Sequence, residues 1–128
     1  MDLRLAQIVL YTHHKEDVTQ FFSDLFDMDI IPVGDGVKLH HPNFHLVIVR
    51  ADASIPKKRF PASIVLDFNV DAEEDLVSLH QKVQFLSYRH HFDFQATSEG
   101  AIQQHGKNQT FFLTDPDGRK WKFSFKGQ

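Results

Sequence analysis

No cysteine occurs in the 128 residues. That removes disulfides, thiolate metal sites and cysteine nucleophiles, and it suits a reducing compartment. Long apolar runs are missing as well. The opening stretch, MDLRLAQIVLYTHHKED, holds only a few consecutive apolar residues before charge resumes. That is too few for a signal-peptide core or a membrane span, so a cytoplasmic protein with no membrane partner is expected. Excess positive charge is absent too: the formal net charge is −3 and the sequence pI about 6.3. Such a balance gives no general attraction to nucleic acid, and the short basic run at 57–59 reads as a solvated loop. Gly-x-Ser-x-Gly, phosphate-loop and dinucleotide fingerprints do not occur. Gly34-Asp35-Gly36 is too short to cradle a phosphate and reads as a hairpin turn.

What is present is apolar bulk. Hydrophobic residues make up 41% of the chain, and phenylalanine alone takes 13 positions. One compact domain with a real core, needing no covalent staples, follows from that length and content. The run LRLAQIVLY at 3–11 is aliphatic and β-branched without a helical stripe, which predicts a strand. Next, Val18, Phe21, Phe22 and Leu25 fall at i, i+3, i+4 and i+7, the spacing of an amphipathic helix within 15–28. Three short strands are predicted after it, near 28–33, 36–41 and 44–50, separated by turns at 34–36 and 41–43.

A loop with two prolines, ADASIPKKRFP, then intervenes and the order repeats. SIVLDFNV at 63–70 predicts a strand. Asp71 and Glu74 predict an N-cap and N3 pair for a helix over 72–86 carrying Leu76, Leu79, Val83 and Leu86 on one stripe. Strands are expected near 92–97, 109–114 and 119–125. The fold class is therefore α+β, two βαβββ modules of mostly antiparallel sheet with a helix outside each. Module one spans about 1–52, a linker about 53–61, and module two about 62–126, all within a single domain.

Read this way, the chain resembles the vicinal oxygen chelate superfamily, which holds glyoxalase I, bleomycin-resistance proteins, fosfomycin-resistance proteins and extradiol dioxygenases. AQIVLYTHHKEDVTQFFSDLFDM looks like the family's opening strand and helix, and TDPDGRKWKF like its closing Asp-Pro-Asp-Gly hairpin. The resemblance runs along the whole chain, and the hairpin is its most specific part. It implies a ligand-sized groove and, in the metalloenzymes, about four inward-facing His, Glu or Gln ligands. Carried over by position, those ligands fall on Gln7, near Ile48, near Val65 and on Lys122. Gln7 survives as a candidate ligand. Valine and isoleucine offer no lone pair, and a lysine ammonium is a donor only. The neighbours Ile64, Leu66, Trp121 and Phe123 restore no ligand if the alignment slips by one.

The nine histidines include three adjacent pairs, and neighbours on a strand point to opposite faces. Exposed loop and strand-end positions are expected for them, with His41 and His45 across a turn the pair to check for adventitious metal. No metal and no cofactor are expected. By strand alternation Gln7, Val9 and Tyr11 would line the groove from the first strand. Ser63, Val65, Asp67 and Asn69 would do so from the fifth, and Lys120, Lys122 and Ser124 from the last. Lys122 then either pairs with Asp67 or anchors a carboxylate or phosphate, and the sequence leaves both open.

The ligand-binding set is therefore Gln7, Val9, Tyr11, Val65, Asp67, Lys120 and Lys122. The expected function is a metal-free, bleomycin-resistance-like homodimer that binds a small anionic or aromatic ligand in its groove. The alternative is a metal-dependent lyase, isomerase or dioxygenase of the glyoxalase type with an atypical site.

Overall fold

A computed structural model of the protein describes residues 1–52, 64–90 and 100–127. The chain divides into two compact units, Met1–Lys58 and Arg59–Gln128. Each is a βαβββ module, so the fold is α+β as expected.

The first unit runs β1 (Ile8–Thr12), α1 (Lys15–Phe26), β2 (Asp29–Val33), β3 (Gly36–His40) and β4 (His45–Arg50). Its sheet has the order β1-β4-β3-β2, with β1 parallel to β4 and the other pairs antiparallel. The helical stripe seen in the sequence is the buried one: Val18, Phe21, Phe22 and Leu25 are all buried. They meet Leu10, Leu39, Leu46 and Ile48 from the sheet, each fully or nearly fully buried. Burying side chains of this size stabilises by about 1.5–3 kcal/mol apiece. Gly36 is needed where it stands, because a Cβ there would meet the Ile48 carbonyl oxygen at 2.6 Å.

The second unit runs β5 (Leu66–Val70), α2 (Glu73–Arg89), β6 (Gln103–His105), β7 (Asn108–Thr114) and β8 (Lys120–Lys126). Its order, β5-β8-β7-β6, repeats the pattern of the first sheet, with β5 parallel to β8. Leu76, Val83 and Leu86 from α2 are buried, as are Phe111, Leu113, Trp121 and Phe123 from the sheet. Phe111 and Phe123 stack at 5.2 Å. Among the described residues no helix is long and apolar enough to cross a membrane.

Four expectations need correction or limits. The first strand begins at Ile8, not residue 3; Leu3 and Leu5 are exposed and belong to no strand. The α2 N-cap is Ala72, without a side-chain cap bond, so Asp71 sits one residue too early to cap. Its place is taken by Glu73, Glu74 and Asp75, whose charge favours the helix's positive end. The strand preceding β7 is β6, a short polar segment paired through a turn at Gly106, where φ is +65°. The strand expected at 92–97 lies outside the described residues, as do the linker at 53–61 and the basic run at 57–59.

Candidate functional site

The closing hairpin is stitched chiefly by the Asp115 carboxylate, with Asp117 also paired to Arg119 at 3.1 Å. Asp115 is buried, and its Oδ1 accepts the backbone N–H groups of Asp117 and Arg119, each at 2.9 Å. Oδ2 accepts the Trp121 indole N–H at 3.0 Å and the Arg119 guanidinium at 3.2 Å. Burial raises the Asp115 pKa, while Arg119 and the Trp121 bond pull it back. The Asp-Pro-Asp-Gly sequence is thus a structural clasp that fixes where β8 starts and how Trp121 turns inward.

With Trp121 and Phe123 facing the helix, alternation turns Lys120, Lys122 and Ser124 to the other face of β8. The register then places Phe112 and Asp67 on either side of Lys122, and Thr114 opposite Lys120. The Lys120 ammonium lies 4.4 Å from the Phe112 ring centroid and that of Lys122 lies 5.8 Å away. Both are within cation–π reach. Asp67 Oδ1 accepts the Ser124 hydroxyl at 2.7 Å. Its Oδ2 stands 3.8 Å from the Lys122 ammonium, an ion pair but too long for a hydrogen bond. The two side chains are 33% and 35% exposed, so the pair holds no buried charge.

Asp67 and Lys122 therefore stand opposite each other on neighbouring strands, and Lys120 lies on the same face of β8 beside Phe112. Val65 is exposed just before β5, two residues from Asp67. Val9 and Tyr11 share the helix-free face of β1, 39% and 52% exposed, while Gln7 precedes the strand and is exposed. These three belong to the first unit. Sequence reasoning missed Phe112. Its signal was present, since Phe111 and Leu113 face the core and leave the residue between them to the lysines' face.

The donor set does not suit the divalent metal of the family's enzymes. Lys122 sets an ammonium beside the Asp67 carboxylate and repels a cation there. Ile48 is buried on the helix-facing side; Val47 and Val49 share the face of Val9 and Tyr11, and neither is a ligand. Among the described residues no three His, Asp or Glu side chains cluster to hold a metal. The histidines differ from expectation in one respect. His41 is not paired with His45: it stacks on Phe44 at 4.7 Å and its Nδ1 accepts the Asn43 N–H. His40 is the partner of His45, their ring centroids 4.7 Å apart. Burial, then Lys38 and His40, lowers the His45 pKa.

No protein-family model and no curated protein sequence matches the chain. Solved structures do. The fosfomycin resistance protein FosX from Listeria monocytogenes aligns over 99% of this chain and 96% of its own, with a TM-score of 0.74 at 13% identity. FosX from Mesorhizobium loti covers 100% and 95%, with a TM-score of 0.72 at 11% identity. A glyoxalase/bleomycin resistance protein/dioxygenase from Alicyclobacillus acidocaldarius covers 98% and 92%, with a TM-score of 0.69 at 11% identity. Those likenesses join the paired βαβββ units and the closing clasp at Asp115 in one conclusion: the chain has the fold of the vicinal oxygen chelate superfamily.

Proposed function

We propose that the protein is a metal-free binding module, bleomycin-resistance-like, acting in the cytoplasm on a small ligand that carries an anionic group and an aromatic ring. The observation that carries this reading is the convergence of two lysines on Phe112, with Asp67 held by Ser124 and only at ion-pair distance from Lys122. An exposed pair at 3.8 Å contributes little to stability, about 1 kcal/mol at most, so Lys122 is poorly explained as a structural counter-ion. Its donors remain available to a carboxylate or phosphate, and the ring of the ligand would lie against Phe112. Lys120 would share the charge, and Asp67 with Ser124 would orient Lys122. The same lysines argue against catalysis through a divalent ion at this position.

The test is a thermal-shift screen of aryl carboxylates and aryl phosphates, followed by titration of Lys122→Met with the best hit. A charge-assisted contact contributes roughly 1.5–3 kcal/mol, so affinity should fall by about tenfold or more while the fold survives. Binding left intact in Lys122→Met, with stability lost and then restored by adding Asp67→Leu, would assign the lysine to the ion pair instead. We further propose a homodimer, supported by the exposed apolar side chains of Ile30, Ile31 and Val33 along β2 at the sheet's edge. Light scattering should return twice the chain mass at micromolar concentration; a monomer mass there would end that proposal.

A further inference from the structure

The β3–β4 hairpin holds a second arrangement, independent of the lysine face. His40 and His45 are directly opposite each other in the antiparallel ladder and so project from one face. Just beyond them the turn closes with the His41 N–H donating to the Phe44 carbonyl at 3.1 Å. Hydrogen-bonded and non-hydrogen-bonded pairs alternate along such a ladder. The 40–45 pair is therefore of the second kind, in which side chains approach most closely.

The ring geometry has a specific meaning. Zinc binds imidazole nitrogen at about 2.0–2.1 Å, which puts the metal roughly 3.2 Å from each ring centroid. Two centroids separated by 4.7 Å then subtend about 95° at a shared ion, between square-planar and tetrahedral values. The centroid separation thus suits a shared ion once each ring, now tilted 41° to the other, turns a nitrogen toward it. The turn also holds the pair in register: His41 is occupied by the Asn43 N–H and by stacking on Phe44, so it does not compete.

We propose that His40 and His45 form a two-ligand site for a borderline dication, Zn(II), Ni(II) or Cu(II), at the end of the β3–β4 hairpin. Imidazole pairs suit these ions and not Mg(II) or Ca(II), which take oxygen. Because no third His, Asp or Glu joins the cluster among the described residues, the remaining coordination positions go to water or a small chelating molecule. Lys38, two residues along β3 on the same face, opposes the ion, and Asp29, opposite His40 on β2, offsets it. The site is therefore one of exchange and not of permanent retention.

Calorimetric titration of the intact protein with Ni(II) or Cu(II) in a non-coordinating buffer tests this. One equivalent should bind to the wild type. His40→Ala or His45→Ala should each weaken it by about tenfold or more, whereas His105→Ala should leave it unchanged. Should either alanine variant fold poorly, Cu(II) broadening of the wild-type NMR spectrum gives the same answer, centred on His40, His45 and their strand neighbours. Equal affinity in His40→Ala and wild type, or broadening scattered over all the histidines, would overturn the site. Metal found on the purified protein that persists in the His40→Ala, His45→Ala double variant would instead count against the metal-free reading of the lysine face.

Discussion

On the helix-free face of the first sheet, Val9, Tyr11, Val47 and Val49 lie in register around Gly36 and Lys38. On the matching face of the second sheet, Asp67, Asn69, Lys120, Lys122, Ser124 and Phe112 occupy equivalent rows. Strand order and pairing sense are the same in both. The hairpins that end the two sheets differ in the same way. The turn at 41–44 is closed by an aromatic stack of His41 on Phe44, and the turn at 115–118 by a buried carboxylate. One topology thus supports a face of valines and a tyrosine, with Lys38 and the His40–His45 pair toward its hairpin end, and another whose lysines stand beside a phenylalanine. The faces are set by what each strand carries at alternate positions, and the topology leaves that choice open.

Removing the clasp should separate the units most. Asp115→Ala strands the buried Trp121 indole N–H and two backbone N–H groups, and should cost about 3–5 kcal/mol. Asn43→Ala, in the corresponding turn of the first unit, should stay within about 0.5 kcal/mol. Urea unfolding of both variants checks the contrast; equal losses would show that the carboxylate is not what holds the second hairpin.

A pH titration sharpens the same point with a smaller effect. The folded-state pKa of Asp115 is raised above its ordinary value of 3.8, so the folded chain holds that proton longer than the unfolded chain does. Its contribution to stability is then fully present below the ordinary value and is lost as pH rises through the folded one. Relative to Asp115→Asn, which does not titrate, the wild type should therefore lose stability as pH climbs from about 4 toward neutrality. A difference curve that is flat, or rises, would mean that Arg119 and the N–H donors outweigh burial.

The smallest effect concerns the ring. Phe112→Leu keeps apolar bulk but loses the quadrupole beneath the two ammonium groups, a change of about 0.5–1 kcal/mol. Affinity for an aryl anion should fall by roughly two- to fivefold. Lys38→Met, the charge change on the first unit's face, should leave that affinity unaltered. A reversed order of these two variants would move the ligand site to the other unit.

Much of the fold was legible because burial imposes a period. The stripe of Val18, Phe21, Phe22 and Leu25 could only be one side of a helix, and Trp121 and Phe123 could only alternate with Lys120 and Lys122. Period alone does not give register, however, and register is what joins Asp67, Lys122 and Phe112 across three strands. The same gap explains the histidines: His41 and His45 look symmetric about a turn in the sequence, but the hydrogen bond from residue 41 to 44 shifts the pairing to His40. β6 escaped because Gln103, Gln104 and His105 carry no apolar alternation at a sheet edge. Asp71 looked like a helix cap because Asp favours that position, but the helix begins one residue further on. Nothing in Asp-Pro-Asp-Gly says that its first aspartate is buried; the turn is local, and the indole it reaches is six residues away.

That reach has an evolutionary corollary. Asp115 fixes the start of β8 and the inward turn of Trp121 without belonging to the face that carries Lys120 and Lys122. A substitution at 120 or 122 can therefore exchange ammonium for carboxylate, amide or methyl group while the strand stays in frame. The clasp works as a mount into which different chemistries can be fitted, one codon at a time. A lineage could pass between chelating a metal and gripping an anion without ever giving up its folded state.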